Sequence, residues 1–461
     1  MRVFKKTVIT FTITLFFGFI SCDLSNDKTP PNIIFVLTDD LGFNDLSSYG
    51  STIINTPNLD KLANQGALLN SYYSTQAVCS ASRASILTGS YSNRIGFSGA
   101  LGPNSKTGIN PNELLLSEML KESGYKTAIY GKWHLGDNEK FLPTRHGFDD
   151  FYGILYSNDM WPYHPERPDS YPELMLYENE NPIEVLTDQS NLTMDITSKS
   201  VKFINENKEN PFFLYIAHPQ PHVPLFASSK FNGRSENGLY ADVIEEIDYS
   251  IEKVMEALKE NNLDKNTIVV FTSDHGYHLG EHGHWQKQTL FEDGTRVPLI
   301  IAGPGIKNNK EIINNPVELV DLYPTIMDLV QMQTPKFVSG KSIVPLLENS
   351  ENIVRESALT ELQINTGNGI AQGYSIKTKR YRLSQWEHKG IKDYELYDHF
   401  SDTSELTNLS EYLDYQKIRD SLVKILDIRI LNAKKVPLGL GRQITNAKPW
   451  LEPKIIRSKP K

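Results

Sequence analysis

Cysteine is nearly absent from this chain: there are two in 461 residues. That excludes a disulfide framework as the source of stability. Cys22 closes an N-terminal apolar segment, which leaves Cys79 as a thiol with no obvious partner. Excess positive charge is also missing, since the net charge is −9. Nothing global therefore draws the chain to nucleic acid or to an anionic membrane, and an anionic ligand must be met by a local cationic pocket. No internal repeat occurs, and Gly and Pro are too sparse for a disordered or fibrous chain. With 39% hydrophobic and 10% aromatic residues, the chain is of ordinary globular composition, long enough for two domains or one large core with an appendage.

Export accounts for the first 22 residues. Arg2, Lys5 and Lys6 precede an apolar run over 8–20, followed by Ser21-Cys22, in the manner of a signal peptide. The run is too short, and too broken by threonines, for a membrane anchor. Phe19-Ile20-Ser21-Cys22 is similar to a bacterial lipobox, with Phe19 where Leu is usual. Cys22 is thus a candidate for lipidation, which predicts a periplasmic or outer-membrane lipoprotein of a Gram-negative bacterium; the alternative is a soluble periplasmic protein cleaved elsewhere. Residues 23–31 form a polar tether.

Four short apolar runs end abruptly in ionisable side chains. Residues 33–37 precede Asp39 and Asp40; 127–130 precede Gly131-Lys132-Trp133-His134. Residues 212–217 precede His218 and His222; 267–271 precede Ser273-Asp274-His275-Gly276. Such runs fit strands buried on both faces. Helical periodicity lies between them, at 112–123, 239–262 and 317–330, the last with Pro324 near its middle. The alternation predicts an α/β fold: a large mixed, mainly parallel sheet sandwiched by helices, with ligands bound at the carboxyl ends of the strands. After about residue 340 the pattern changes. An antiparallel strand pair over 374–386, a strand at 394–397 and a helix over 415–431 predict a small antiparallel-sheet subdomain at 341–435, after a catalytic domain at 32–340 and before a tail at 436–461.

Asp39 and Asp40 point apart on a strand, so both can meet one ion only where the backbone turns. A solvated turn is the bland alternative. Together with Asp274 at a second strand end, a hard divalent cation resolves the repulsion, Ca²⁺ first and Mg²⁺ as the alternative. His275 is an unusual neighbour for such an ion. Lys132 and His134 lie two apart at a strand end: one neutralises an oxyanion, the other moves protons. His222 sits between two prolines that stiffen its loop. His282 and His284 suggest zinc, but no further ligand completes a site.

Cys79-Ser80-Ala81-Ser82-Arg83, followed by Leu87-Thr88-Gly89, resembles the signature of type I sulfatases, in which a maturation enzyme oxidises the cysteine to formylglycine. Five motifs occur in family order between residues 32 and about 409. Ala81 stands where Pro is common, and Ser90 where an Arg is common. The resemblance implies the alkaline-phosphatase-like fold and one divalent cation held by Asp39, Asp40, the modified Cys79, Asp274 and His275, an Asp-His form that also occurs in the iduronate-2-sulfatase branch. It further implies Arg83, Lys132, His134, His222 and Lys287 as catalytic, with Lys287 and His222 gripping sulfate. Arg145, His284 and Trp285 are candidate substrate contacts, and Arg94, His146, Tyr156 and Trp161 further specificity candidates.

The expected reaction is hydrolysis of a sulfate monoester on a sulfated carbohydrate, an algal polysaccharide such as ulvan or a glycosaminoglycan. A formylglycine-generating or sulfatase-maturating enzyme is the expected partner. A phosphomonoesterase or phosphodiesterase on the same scaffold is the enzymatic alternative, and a sugar-binding surface lipoprotein without catalysis the other.

Overall fold

Ten strands build the large sheet of the computed structural model, which describes residues 29–306 and 312–436. In chain order they are β1 (Asn32–Thr38), β2 (Gly66–Leu69), β3 (Lys126–Lys132), β4 (Asp150–Ile154) and β5 (Met175–Glu178). There follow β6 (Asn181–Val185), β7 (Phe212–Ala217), β8 (Thr267–Ser273), β9 (Leu299–Ala302) and β10 (Ile312–Ile313). Their spatial order is β10-β2-β9-β8-β1-β7-β3-β4-β5-β6. The centre, β8-β1-β7-β3-β4, is parallel throughout, and antiparallel pairs flank it through β9 on one side and β5 on the other. β1, β7 and β8 are buried along their whole length, as strands covered on both faces must be. All four apolar runs are therefore central parallel strands, and their carboxyl ends come out side by side.

Helices cover the sheet in two groups. Leu192–Glu206 and Leu239–Glu260 pack against each other, while Cys79–Thr88 packs against Leu322–Leu329 and Leu116–Glu122. Two helical expectations shorten. The periodic stretch at 112–123 is helical only from Leu116. The stretch at 317–330 begins instead as a strand at Val317–Glu318 and a tight turn at Leu319–Asp321. That turn places Pro324 in the first turn of the helix Leu322–Leu329, where its missing N–H has no helical partner to lose.

A second sheet follows, antiparallel in sequential order: β11 (Ser357–Asn365), β12 (Ile370–Thr378), β13 (Tyr381–His388) and β14 (Ile391–Asp398). Helix Gln416–Ala433 packs on it through Leu422 and Leu426. Ile343, Leu346 and Leu347 still belong to the core of the large sheet. Among the described residues, no helix is long and apolar enough to cross a membrane. The signal segment with Cys22, most of the tether and nearly all of the tail lie outside the described residues.

Buried ion pairs latch the two sheets together. Arg382 of β13 is 1% exposed. It donates to Glu405 at 2.5 Å and to Glu292 of the main domain. Tyr73 donates to Glu292 at 3.1 Å. Burial works against ionisation of Glu292, but Arg382 holds its carboxyl well below the usual range. Glu292, Glu405 and His399 lie close enough together to suggest a cation site; Arg382 already supplies the charge there. Arg429 and Arg355 form a similar latch on Glu318. Removing one partner of such a pair leaves a buried charge uncompensated. Arg382→Leu is expected to cost about 3–5 kcal/mol in denaturant unfolding. A loss below about 1 kcal/mol would place this pair with surface bridges instead.

Candidate active site

The reactive side chains meet because several strand ends turn sharply at the same edge. Asp40 has φ 68° and His134 φ 61°, both left-handed without being glycine. Such strained positions persist only where surrounding structure fixes them. Gly131, at φ 120°, admits no side chain, because a Cβ there would lie 1.9 Å from the Ala217 carbonyl oxygen on β7. From the strand end that follows, the Lys132 side chain reaches across to Asp39. Gln286 and Gln288, on either side of Lys287, are also left-handed.

Cys79 opens the helix Cys79–Thr88, every residue of which is buried. Its Sγ stands where the oxygens of a formylglycine hydrate would be. It lies 3.2 Å from Lys287 Nζ and 3.3 Å from His275 Nε2. Burial alone would raise the thiol, but Lys132, Lys287 and His275 pull it well below its ordinary value. A position that makes a thiol anionic also stabilises negative charge developing on an oxygen there.

One oxygen each from Asp39 and Asp40, His275 Nε2 and Cys79 Sγ lie within 4.8 Å of one another. Three features fit this set to a divalent cation. Asp39 Oδ1 is buried without a hydrogen-bond partner among the described residues. His275 donates Nδ1–H to the Gly276 carbonyl at 3.0 Å, the usual support for a histidine ligand; despite burial, Asp274, Cys79 and Asp40 raise its pKa to about 9, so the same carboxylates favour a positive charge at Nε2, a proton or a cation in its place. Asp274 stands behind: Oδ1 accepts the backbone N–H of His275 at 3.0 Å and of Asp40 at 3.3 Å, and Oδ2 accepts Arg83 Nε at 3.0 Å. Burial pushes the Asp274 carboxyl up to about 7 despite His275 and Arg83, so a further positive charge is needed to keep every aspartate ionised.

Three cations balance the carboxylates. Lys132 pairs with Asp39 and donates to Ser157 Oγ at 3.0 Å. Arg83 also donates to the Lys132 carbonyl at 2.8 Å. Lys287 grips both oxygens of Asp40, at 2.7 and 2.9 Å. His134 donates Nε2–H to the Leu101 carbonyl at 2.8 Å, and its buried Nδ1 has no hydrogen-bond partner among the described residues. Burial, with Lys132 adding to it, lowers its pKa. His222 differs. Burial and Lys287 oppose its proton, yet Asp40 and Asp39 raise its pKa, and its Nε2 lies 3.5 Å from Ser157 Oγ.

These groups sit at one end of a cavity of about 490 Å³, within the usual size of a small-molecule site. Cys79, His134, His222, Lys287 and Asp40 line it, and Trp285, 69% exposed, stands at its mouth.

Three comparisons bear on this geometry. The family described as "Sulfatase" matches residues 31–332, and "N-sulphoglucosamine sulphohydrolase, C-terminal" matches residues 280–431. Human N-acetylgalactosamine-6-sulfatase is 37% identical over 349 residues, covering 70% of this chain and 67% of that one. The chain belongs to the sulfatase family. Human arylsulfatase D is 31% identical over 408 residues, covering 70% of this sulfatase and 69% of itself. A crystal structure of Ps i-CgsB in complex with k-i-k-neocarrahexaose superposes with a TM-score of 0.75 at 26% identity, covering 89% of this chain and 94% of that one. The protein is thus a sulfatase with the alkaline-phosphatase-like fold.

Several expected substrate contacts are not brought to the cavity. Arg145 is corrected: its guanidinium is about half exposed and lies against Glu180 at 3.0 Å and Glu139 at 3.4 Å, away from the cavity lining. His284 is also outside the lining, its ring 5.8 Å from His278 and 6.2 Å from Phe291. Arg94 is buried against Glu113 and Ser90. His146 is buried and donates Nε2–H to the Lys140 carbonyl at 3.0 Å. Tyr156 donates to the Glu173 carbonyl, and Trp161 packs on Tyr163 and Phe226. Sequence reasoning missed Ser157, Asp159, His164 and Arg167, all of which line the cavity. Ser157 and Asp159 follow β4, so the strand-end rule would have found them had that run been counted.

Chelation is expected to lower the thermal unfolding midpoint of the folded sulfatase, because Asp39, Asp40 and Asp274 then repel one another. Titrating Ca²⁺ or Mg²⁺ back should restore it. A midpoint unmoved by thorough demetallation would remove the cation from this site.

Proposed function

We propose that this sulfatase hydrolyses sulfate monoesters on a sulfated carbohydrate, using formylglycine made from Cys79 and one divalent cation, Ca²⁺ first, held by Asp39, Asp40 and His275 with Asp274 behind them. The observation that carries this is the convergence of Lys132, Lys287 and His275 on a buried Cys79. When present, the hydrated aldehyde supplies two hydroxyls on one carbon, one to attack sulfur and one to release sulfate, while the cation lowers their pKa.

The chain's own residues do the rest. Lys287, on the cavity lining, provides fixed positive charge for the sulfate oxygens, and Arg83 and Lys132 add to that potential from behind the carboxylates, without reorganisation during reaction. His222 holds a proton at Nε2 for the departing alcohol, since Asp40 and Asp39 favour its charged form. His134 takes a proton at Nδ1, because its other nitrogen is committed to Leu101 and burial keeps the ring neutral. Ser157 Oγ accepts from Lys132 and lies beside His222 Nε2, so it joins that lysine to the histidine that faces the leaving group. Because the helix Cys79–Thr88 is buried end to end, the maturation enzyme must meet this segment before it docks against the sheet.

The carbohydrate class is supported by the names of the relatives, one an N-acetylgalactosamine-6-sulfatase and one crystallised with an oligosaccharide. Sulfated algal polysaccharides such as ulvan and glycosaminoglycans both remain within it. Export to the periplasm or the outer membrane suits such a substrate.

Peptide mass analysis of protein made with a maturation enzyme should find formylglycine at position 79, and Cys79→Ala should fold and fail to turn over. Full activity from wholly unmodified Cys79 would sink the mechanism. Lys287→Ala should cut turnover per folded molecule roughly a hundredfold to a thousandfold. A lowered unfolding midpoint with turnover preserved would assign Lys287 a structural role instead.

A further inference from the structure

Beyond the catalytic groups, the cavity wall carries a donor and an acceptor whose hydrogen-bonding capacity is unspent. His164 is 6% exposed. Its Nδ1 accepts the backbone N–H groups of Glu166 and Arg167, both at 3.2 Å. That nitrogen is therefore unprotonated in the neutral ring, and the proton sits on Nε2. Nε2 lies 3.7 Å from Asp159 Oδ2, too far for a hydrogen bond. The Asp159 side chain is 22% exposed, and because Oδ1 is sealed off from solvent, Oδ2 is the oxygen open to the cavity. A carboxylate oxygen and a ring N–H held this far apart leave a gap that one oxygen atom, from a ligand or a water, bridges with a hydrogen bond to each. Both side chains line the same cavity as Cys79 and Lys287.

We propose that Asp159 and His164 clasp one free hydroxyl of the sugar ring whose sulfate reaches residue 79, and so determine which sulfated sugars are accepted. The hydroxyl oxygen accepts from His164 Nε2–H, and the hydroxyl proton is donated to Asp159. Only a group that both donates and accepts satisfies the pair. A second sulfate or a carboxylate at that carbon has no proton to give and sets its charge against Asp159. An ammonium group can give protons to Asp159 but cannot accept from His164. The substrate class is thus a sulfated sugar left unsubstituted at the clasped position. Trp285, exposed at the mouth, offers a ring face to the same sugar or its neighbour. This inference rests on the carbohydrate reading above.

The test compares matured wild type, Asp159→Asn and Asp159→Ala on 4-nitrocatechol sulfate, which has no sugar ring, and on a panel of monosulfated sugars. N-acetylgalactosamine 6-sulfate is one member, and each sugar is paired with its disulfated counterparts. For the best monosulfated sugar, the ratio of kcat/KM to that on the aryl sulfate should fall about tenfold to a hundredfold in Asp159→Ala, the effect of losing one charged hydrogen bond. Asp159→Asn, which keeps an acceptor oxygen but not the charge, should lose less. It should also narrow the wild-type preference for monosulfated over disulfated sugar. If the sugar-to-aryl ratio is the same in all three proteins, the clasp is wrong and the carbohydrate reading stands. If wild type turns over the aryl sulfate and no sugar in the panel, both fall.

Discussion

Arg83, Lys132 and Lys287 are buried with Asp39, Asp40 and Asp274 around one side chain, Cys79, and the rest of the site depends on that balance of charge. None of these groups is tolerable in the interior alone, since an unpaired buried charge costs several kcal/mol (on the order of 3–5) when its partner is removed. Together each carboxylate has a cation within reach: Lys132 for Asp39, Lys287 for Asp40 and Arg83 for Asp274. The assembly concentrates positive potential at residue 79 and leaves one oxygen of Asp39 unspent. Stability and chemistry are in this sense one arrangement.

The fold supplies the geometry that such a balance needs. Parallel strands β8, β1, β7 and β3 deliver their carboxyl ends to a single edge. The chain then turns at Asp40, Gly131 and His134 through backbone conformations that ordinary residues avoid. Those turns point neighbouring side chains inward that a continuing strand would separate. The second sheet contributes at a distance. Arg382 fixes Glu292, which lies five positions beyond Lys287 in sequence, so the interface between the sheets anchors the segment that carries the lysine.

Much of this was legible in the sequence, for identifiable reasons. Buried parallel strands leave continuous apolar runs, and the ionisable residues at their ends mark the edge where ligands bind. Asp39, Asp40, Lys132, His134, His222, Asp274 and His275 all follow such runs, and their gathering required only the parallel order. Cys79, Arg83 and Lys287 were legible through motif resemblance instead. The substrate contacts were not. Arg145 looked like a free cation because sequence does not reveal that Glu139 and Glu180 stand beside it. His284 is a near neighbour of Lys287 along the chain, yet it turns toward His278 and Phe291.

The sequence by itself determined the alternation of strands and helices, the strand ends that carry charge, and the solitary thiol within its motif, because each is a local pattern of residue types. Tertiary structure alone decided which nitrogen of His134 is committed, because the Leu101 carbonyl that accepts its Nε2–H is remote in sequence. His275, His222 and His164 are oriented locally instead, by Gly276, Val223 and the amides of Glu166 and Arg167. Tertiary structure also decided that Asp159 Oδ2 and His164 Nε2 stand 3.7 Å apart on one cavity wall, since such a gap is a property of everything packed around two side chains and no residue type encodes it.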